Sequence, residues 1–391
     1  MNKKIMTLCL SGALCAASCS SPKPQPAPAS PTWANTSELW LFVGSYASPE
    51  EEGIRIYRFN QTTGEASYQS GLKGCANPSY LTPSADGTLV YAVSEEEGCT
   101  ATAVALQLNP QKGVLTPLNS QLTQGGAPCF IALSPDEKHV VTANYMGGSI
   151  SIFNLDESGQ LLPHPQVIPF NGQGTNPGRQ EQPHLHQVNF TPDGQYLLAN
   201  DLGTDRLYSF PLSNPTKSPS TDKFIDESRR IDIPVAAETG PRHLCFHPNG
   251  KWAYLLGELS GQVTTFAYEA GRITALQSVT ADTVQAQGSA DIHCSPDGRF
   301  VYASNRLKAD GLAIFAVDAE QGTLTPIGYQ PTGIHPRNFL LSPNGDYLLV
   351  ACRDSHCIQI FRRDKQTGLL TDTGQRIETS RPVCLQWTGI R

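Results

Sequence analysis

Arginine, histidine and carboxylate side chains recur in this sequence where short apolar segments begin or end. Histidine accepts or donates a proton near neutral pH. Arginine binds carboxylate or phosphate groups through two parallel hydrogen bonds. Together these residue types favour a site that holds a small anionic ligand and transfers protons to or from it. The residues concerned are Arg179, His184, His186, Arg242, Glu258, Arg306 and Arg337.

The two histidines allow a second interpretation. His184 and His186 are alternate residues, so on a β-strand their side chains would point to the same side. They could then hold a metal ion together with Asp201 or Glu258. A strand histidine is more often structural, and we expect one of the pair to support the other.

The composition limits the kind of protein that carries these residues. The chain has 391 residues, of which 39% are hydrophobic and 16% charged, as in a folded globular protein. Its formal net charge is -7, from 28 Lys and Arg against 35 Asp and Glu. Binding to a phosphate backbone requires an excess of Lys and Arg, so we expect no nucleic-acid partner.

The N-terminal residues have the pattern of an export signal. Lys3 and Lys4 precede an apolar segment that is too short to cross a membrane, and Ala16-Ala17-Ser18-Cys19 resembles a bacterial lipoprotein cleavage site. A proline-rich stretch follows, which indicates a stiff tether. We predict a lipoprotein-type signal peptide at residues 1–19, a tether at residues 20–37, and lipidation of Cys19. The protein would be exported to the bacterial cell envelope or periplasm and contact the membrane only through this lipid. Ordinary signal cleavage is the alternative.

Eight cysteines follow Cys19, an even number in what we expect to be an oxidising compartment. Cys75 with Cys99, and Cys352 with Cys357, are candidate disulfides. Other cysteines lie in apolar segments and are equally consistent with buried thiols. Their spacings do not match a zinc site, and the pairing stays open.

A repeat organises the chain from residue 77 onward. A short turn, most often Asp-Gly or Asn-Gly, recurs between apolar segments at intervals of 47 to 57 residues. Each unit has four short strands, which is typical of a β-propeller blade. The six turns contain Asp86, Asp136, Asp193, Asn249, Asp297 and Asn344.

The two ends of the chain supply a further blade. Residues 39–43 and 54–59 form N-terminal strands without a marker turn, and residues 382–387 form one C-terminal strand without a partner. Joining these strands closes the ring and removes exposed sheet edges. We therefore predict an all-β fold in which residues 38–391 form one seven-bladed β-propeller. Each blade would have four antiparallel strands, and the N- and C-terminal strands would share the last blade.

The hairpins determine which face of the ring carries the reactive residues. Each turn joins the innermost strand of a blade to the second, antiparallel strand. The start of the first strand and the end of the second therefore lie on the face opposite the turns, which we call the mouth. The residues expected there are Asn77, Glu95, Cys129, Asn144, Tyr145, His184, His186, Asp201, Arg242, His243, Glu258, Ser289, Asp291, Asn305, Arg306, His335, Arg337 and Arg353, with Arg179 and Glu181 from a loop.

Several of these segments resemble one known family. They are Asn77-Pro78-Ser79-Tyr80-Leu81, Ala143-Asn144-Tyr145, Arg179-Gln180-Glu181-Gln182-Pro183-His184-Leu185-His186, Gly240-Pro241-Arg242-His243-Leu244, Tyr254-Leu255-Leu256-Gly257-Glu258-Leu259 and Tyr302-Ala303-Ser304-Asn305-Arg306. In them the chain resembles the seven-bladed β-propeller lactonases, which include bacterial 6-phosphogluconolactonases and fungal carboxymuconate cyclases. The resemblance spans about residues 39 to 388.

The resemblance implies ester-bond chemistry on an acidic lactone, without a metal or other cofactor. The positions that match the catalytic residues of the fungal cyclases are His184 or His186, Arg242, Glu258 and Arg306. Lactone opening requires a base for water, a cation near the oxyanion and an acid for the leaving alkoxide. We expect a histidine to move the protons, the arginines to hold the anion, and Glu258 to activate water or to orient an arginine. By position we also expect substrate contacts from Arg179, Asn144, Tyr145, Asp201, Asn305 and Arg337.

The predicted function is a lactone hydrolase similar to 6-phosphogluconolactonase. It would act as a monomer and open a small anionic lactone of sugar type to the acid. One alternative is a non-catalytic envelope propeller that binds a ligand or a protein, although a protein-binding face would more often show exposed aromatic residues. Another is a muconate-type cycloisomerase that closes the lactone with the same groups.

Overall fold

The computed structural model describes residues 32–213 and 223–390, and within these ranges the protein is built almost entirely of β-strands. The helical turns in these ranges are three short 3-10 helices, Thr32–Asn35, Gly98–Thr100 and Glu227–Arg229. The predicted signal peptide, Cys19 and most of the predicted tether lie outside the described residues. In the described part of the chain, no helix has both the length and the apolar character needed to span a membrane.

The described residues contain twenty-eight strands. They are β1 (Glu38–Ser45), β2 (Ile54–Asn60), β3 (Ala66–Leu72), β4 (Leu81–Pro83), β5 (Leu89–Ser94), β6 (Thr102–Asn109), β7 (Val114–Leu122), β8 (Pro128–Leu133), β9 (His139–Asn144), β10 (Ser149–Asn154), β11 (Gln166–Pro169), β12 (Leu185–Phe190), β13 (Tyr196–Asp201), β14 (Arg206–Pro211), β15 (Ile231–Pro234), β16 (Pro241–Phe246), β17 (Trp252–Gly257), β18 (Gln262–Glu269), β19 (Arg272–Thr280), β20 (Ile292–Cys294), β21 (Phe300–Asn305), β22 (Gly311–Val317), β23 (Leu324–Pro331), β24 (Pro336–Leu341), β25 (Tyr347–Cys352), β26 (Cys357–Arg363), β27 (Leu370–Glu378) and β28 (Pro382–Gly389).

The strands form seven antiparallel four-stranded sheets, so the predicted all-β, seven-bladed propeller is confirmed. Six blades use four consecutive strands, from β4–β7 in blade one to β24–β27 in blade six. The seventh has the order β28-β1-β2-β3, with Leu41 paired to Trp387. The C-terminus thus supplies the innermost strand of the last blade and the N-terminus supplies the other three, and the predicted sharing of this blade by the two chain ends is confirmed. Neighbouring innermost strands pack against one another around the ring.

Burial follows the position of each strand in its blade. Second strands such as β17 and β21 are buried along their whole length, because sheets cover both of their faces. Outermost strands such as β19 are mostly exposed, with single buried or half-buried residues between, because one face meets solvent. The cores therefore lie between successive sheets, and a polar residue on a second strand must find a partner there.

The Gly-Xaa-Leu segments link successive blades. Tyr254 in blade four donates its hydroxyl hydrogen to the carbonyl oxygen of Gly322 in blade five, at 3.1 Å. Tyr302 in blade five makes the same contact with Gly368 in blade six, at 2.7 Å. Gly322 has a φ of 73°, and a Cβ there would clash with the ring of Trp252. Glycine therefore permits both the turn and the close approach of the two blades.

The described cysteines are all free thiols. Cys75 is buried and Cys99 is exposed, and they form no bridge. Cys352 and Cys357 are opposite each other across β25 and β26, also as thiols. None of the pairings considered from the sequence is therefore present within the described ranges.

Candidate active site

Five of the innermost strands begin with a β-bulge that aims a side chain into the centre of the ring. The pairing with the second strand skips one residue in each case, and a bulge redirects the side chain of the extra residue. The skipped residues are Cys129, His186, Arg242, Arg337 and Val383. All five line one central cavity, together with Ser79, Tyr80, His243 and Asn338.

A second set of side chains comes from the ends of the second strands. The last residue of such a strand turns into the protein, and the residue after it faces the mouth, because successive strand residues point to opposite sides. Asn144 is followed in this way by Tyr145, and Asn305 by Arg306. The residues that follow a second strand and contact other mouth residues are Tyr46, Glu95, Tyr145, Glu258 and Arg306.

Glu258 is the centre of a charged group at the mouth. Its Oε1 accepts a hydrogen bond from Arg179 Nη2 at 2.7 Å, and its Oε2 accepts one from Arg242 Nε at 2.8 Å. Arg306 Nη2 lies 3.4 Å from the same Oε2. We call these four residues the mouth cluster. Burial opposes ionisation, but the charges of Arg306, Arg242 and Arg179 outweigh it and lower the pKa of Glu258 to about 2. Glu258 is therefore a carboxylate at neutral pH, and both of its oxygens accept hydrogen bonds from arginines.

The donors of Arg242 are only partly used. Arg242 Nη1 donates to the carbonyl oxygen of Ala290 at 2.5 Å and lies 3.3 Å from His243 Nε2. With Nε on Glu258, this leaves Nη2 as the nitrogen of Arg242 that makes no hydrogen bond to the described residues. Arg306 is held more completely. Its Nε donates to Gly288 O at 2.6 Å, its Nη2 donates to Ser289 O at 3.4 Å, and its Nη1 lies 3.2 Å from His335 Nε2.

Arg337 is the least satisfied cation of the cavity. It makes no hydrogen bond with any described residue, and its guanidinium carbon lies 5.4 Å from the ring centre of Tyr46. Tyr46 in turn donates its hydroxyl hydrogen to Glu95, at 3.2 Å. Burial opposes the charge of Arg337, but Tyr46, Glu95 and Glu258 raise its pKa well above the ordinary value. A charged guanidinium with unused donors in a polar cavity is suited to bind an anion.

The bulge separates the roles of the two histidines. The His186 ring lies in the cavity, with Nδ1 3.7 Å from Cys129 Sγ and the ring centre 5.2 Å from that of His243. Burial, followed by the charge of Arg242, lowers the pKa of His186 well below its usual range. His186 is therefore neutral at neutral pH and is able to accept a proton.

His184 belongs to the wall of the mouth. Its ring stacks on that of Tyr145 at 4.4 Å, and its Nδ1 donates to the carbonyl oxygen of Tyr145 at 3.0 Å. Its backbone N–H donates to Asp201 Oδ1 at 2.7 Å. Of the two histidines, His186 lines the central cavity and His184 supports the loop that carries Tyr145.

Three residues expected to contact the ligand are instead occupied inside the protein. Asn144 is fully buried, and its amide nitrogen donates to the hydroxyls of Ser149 and Ser151. Asp201, also fully buried, accepts hydrogen bonds from Thr204 and from two backbone N–H groups. Asn305 donates to Ala281 O and accepts from Ser289. These side chains hold the loops that surround the mouth.

The remaining predicted positions are close to the cluster. Arg179 lies 3.5 Å from the hydroxyl oxygen of Tyr145 through its Nη2, and its side chain is 38% exposed. Sequence reasoning overlooked Tyr46, because its blade is assembled from both chain ends and has no marker turn. The signal that identifies it is its position directly after Ser45, the last residue of a second strand.

The interpretation of the histidines as metal ligands finds no support in the arrangement of side chains. Among the described residues, no three His, Cys, Asp or Glu side chains are grouped so that they could hold a metal ion. Asp201 is used by backbone N–H groups, and Glu258 is enclosed by arginines.

Comparison with known proteins identifies the family. The family described as "Lactonase, 7-bladed beta-propeller" matches residues 40–387. The 6-phosphogluconolactonase of Formosa agariphila is 36% identical over 352 residues, which are 88% of this chain and 98% of that protein. The crystal structure of a putative 6-phosphogluconolactonase from Bacteroides fragilis shares 50% identity and a TM-score of 0.86, covering 92% of this chain and all of that one. A periplasmic gluconolactonase of Pseudomonas aeruginosa shares 33% identity and a TM-score of 0.83, covering 91% of this chain and all of that one.

These matches confirm the resemblance inferred from the mouth segments and the prediction of a lactonase-type hydrolase. The chain belongs to the seven-bladed β-propeller lactonase family.

Proposed function

We propose that this protein hydrolyses an anionic lactone of sugar type in the central cavity at the mouth. The observation that carries the proposal is the unused hydrogen-bonding capacity of Arg337 and of Arg242 Nη2 beside the neutral ring of His186. A cavity that combines free cationic donors with an uncharged base suits attack on an ester carbonyl.

The chemistry follows from these positions. His186 takes a proton from water as the water oxygen attacks the lactone carbonyl. Arg242 Nη2 donates to the carbonyl oxygen as it becomes an oxyanion, where a positioned donor is most effective. The ring C–O bond then breaks, and the protonated His186 returns its proton to the leaving alkoxide. The product is the open hydroxy acid, and no atoms besides those of water are added.

The other mouth residues bind and orient. Arg337 holds an anionic group of the substrate, and Arg179 and Tyr145 contact the substrate from the rim. Glu258 keeps the guanidinium groups of Arg242 and Arg306 in place, and an orienting role fits it because both of its oxygens already contact arginines. We assign Asn144, Asp201 and Asn305 to the support of the loops.

The similarity to 6-phosphogluconolactonases and to a gluconolactonase suggests an aldonolactone, and a phosphate group on it would supply the anion that Arg337 holds.

We further propose that the protein is exported, that it is anchored through a lipid on Cys19, and that it acts as a monomer. Support comes from the signal pattern at residues 1–19 and from the periplasmic location stated for the Pseudomonas aeruginosa relative. Fractionation tests the anchor, because a Cys19→Ala variant should leave the membrane fraction. Sedimentation of the purified protein tests the monomer, and a dimer would contradict it.

Acid release from three lactones tests the function. The purified protein is offered 6-phosphogluconolactone, glucono-δ-lactone and a muconolactone, with and without chelator. We expect hydrolysis above the spontaneous rate that resists the chelator. His186→Gln should lower kcat by about 100-fold or more, as expected for loss of a general base. The matched control His184→Gln should have a much smaller effect. No acceleration of any lactone, or an unaffected His186→Gln variant, would contradict the proposal.

A further inference from the structure

A buried chain of hydrogen bonds behind Arg242 takes no part in the chemistry described above. Arg242 Nη1 lies 3.3 Å from His243 Nε2, and His243 Nδ1 lies 2.8 Å from Asp291 Oδ1. The side chains of Arg242, His243 and Asp291 are 2%, 5% and 2% exposed, respectively. A polar chain of this kind must be fully satisfied, since an unpaired buried group is costly.

The direction of each hydrogen bond is determined by chemistry. A carboxylate only accepts, so His243 Nδ1 must carry a proton that it donates to Asp291. Burial, followed by the charge of Arg242, lowers the pKa of His243 to about 4, so the ring is neutral at neutral pH. His243 Nε2 then has a free lone pair. A guanidinium only donates, and Arg242 Nη1 therefore donates to this lone pair.

Asp291 is held by three blades at once. Its Oδ1 also accepts from the backbone N–H of Ile292 at 3.0 Å. Its Oδ2 accepts from His293 at 3.0 Å, from Asn338 at 2.5 Å, and from the backbone N–H of Phe339 at 3.2 Å. These donors and His243 come from the innermost strands of blades four, five and six. The carboxylate of Asp291 is thus held in one position by hydrogen bonds from three neighbouring blades.

We propose that His243 and Asp291 are positioning residues that fix the guanidinium plane of Arg242, so that its Nη2 faces the reacting carbonyl. This inference rests on the proposed function. Arg242 has three anchors, which are Glu258 on Nε and both Ala290 O and His243 on Nη1. Glu258 alone would let the plane rotate about the Nε contact, and the anchors on Nη1 prevent this rotation.

Substitution of His243 tests the proposal against a matched control. His243→Phe keeps a ring but removes the acceptor for Arg242, whereas His243→Gln can offer an amide oxygen in its place. His293→Phe removes another donor to the same carboxylate, and His293 makes no hydrogen bond to Arg242 in the described structure. We expect kcat to fall about 10- to 100-fold in His243→Phe with little change in KM, as for misorientation of a catalytic group. His243→Gln should recover part of this loss, and His293→Phe should change kcat by less than about threefold.

A spectroscopic measurement tests the same arrangement without activity. Nitrogen NMR of the histidine rings should show His243 as the neutral tautomer protonated on Nδ1. Protonation on Nε2 instead would overturn the proposal. Equal losses of kcat in His243→Phe and His293→Phe would also overturn it, because both variants would then act only through Asp291. An inactive wild-type protein would contradict the proposed function itself and is distinguishable from both results.

Discussion

Arginines on the two faces of the propeller show how the same side chain serves structure or chemistry. On the turn face, Arg363 is fully buried and uses all three of its nitrogens. Nε donates to Tyr302 at 3.1 Å, Nη1 to Gly345 O at 2.9 Å, and Nη2 to Asp297 at 2.5 Å. Asp297 lies in the hairpin turn of blade five and Arg363 in blade six, so this network joins two blades.

At the mouth, two arginines leave hydrogen-bond donors unused. Arg242 leaves Nη2 without a partner among the described residues, and Arg337 has only the ring of Tyr46 beside it. Burial of a charge is costly unless the charge is paired, so unused donors indicate a site prepared for an anion. Unused donors therefore distinguish Arg242 and Arg337 from Arg363, whereas Arg306 at the mouth has a partner for all three of its nitrogens.

The largest expected effect comes from removing the carboxylate of Glu258, which the arginines of the mouth cluster share. Glu258→Gln leaves Arg179, Arg242 and Arg306 without a shared carboxylate, and their mutual repulsion should displace them. We expect kcat/KM for lactone hydrolysis to fall by about 100-fold or more. Glu181→Gln, at an exposed carboxylate in the loop that carries Arg179, is the control and should have little effect. A Glu258→Gln variant with nearly normal kcat/KM would show that the cluster is only structural.

Substitution of Arg337, the cavity arginine with the fewest hydrogen bonds, tests whether unused donors bind the anion. Arg337→Gln should raise KM for a charged lactone about 10- to 100-fold, because a hydrogen bond to a charged group contributes about 1.5 to 3 kcal/mol. A lactone without a phosphate group should be affected less. Arg353 is the matched control, since its guanidinium is already paired with Asp354 at 2.7 Å. If Arg353→Gln raises KM as much as Arg337→Gln does, the unused donors are not what binds the anion.

Asn144 makes its hydrogen bonds within the protein, so its substitution should affect stability rather than activity, as we expect for Arg363. Asn144→Ala removes three hydrogen bonds within blade two and should lower the free energy of unfolding by about 1 to 3 kcal/mol. Its KM should stay unchanged. Urea denaturation and steady-state kinetics on the same preparation measure both quantities. A higher KM with unchanged stability would instead give Asn144 a role in substrate binding.

The smallest expected effect is that of pH on kcat/KM near neutrality. In the proposed mechanism His186 acts as a neutral base, so activity should be lost as pH falls through its pKa, which burial and Arg242 place well below about 6.5. Glu258, with a pKa of about 2, adds no further transition near neutrality. After correction for spontaneous hydrolysis, kcat/KM should be nearly constant between about pH 6.5 and 8. A decline centred near pH 7 would show that the base is not the buried His186.

The sequence predicted the fold well because blade turns and strand periodicity are local signals. The Asp-Gly turns located the hairpins, and their position placed Arg242, Glu258 and Arg306 on one face. The composite seventh blade followed from strands left over at the two ends of the chain. Each of these inferences depends only on residues close in sequence and on the direction of antiparallel strands.

The details of the site depend on register, which the sequence does not reveal. A shift of one residue exchanges the two sides of a strand. The sequence therefore did not separate Asn144, which turns into the blade, from Tyr145, which faces the mouth. The bulge at His186 is likewise a property of pairing with β13, and it decides which histidine lines the cavity. Tyr46 was overlooked because the strand before it pairs with β28, which comes from the far end of the chain.

One crossed measurement tests the central claim, that the unsatisfied arginines of the mouth carry the chemistry. Arg242→Lys and Arg363→Lys make the same substitution on opposite faces, and both kcat/KM and the free energy of unfolding are measured for each. Arg242→Lys should lose about 100- to 1000-fold in kcat/KM, as for removal of an oxyanion donor. Arg363→Lys should keep kcat/KM and lower only the free energy of unfolding, because its three buried contacts lie on the turn face and link blades five and six. Nearly full activity in Arg242→Lys, or equal losses of activity in both variants, would contradict the account.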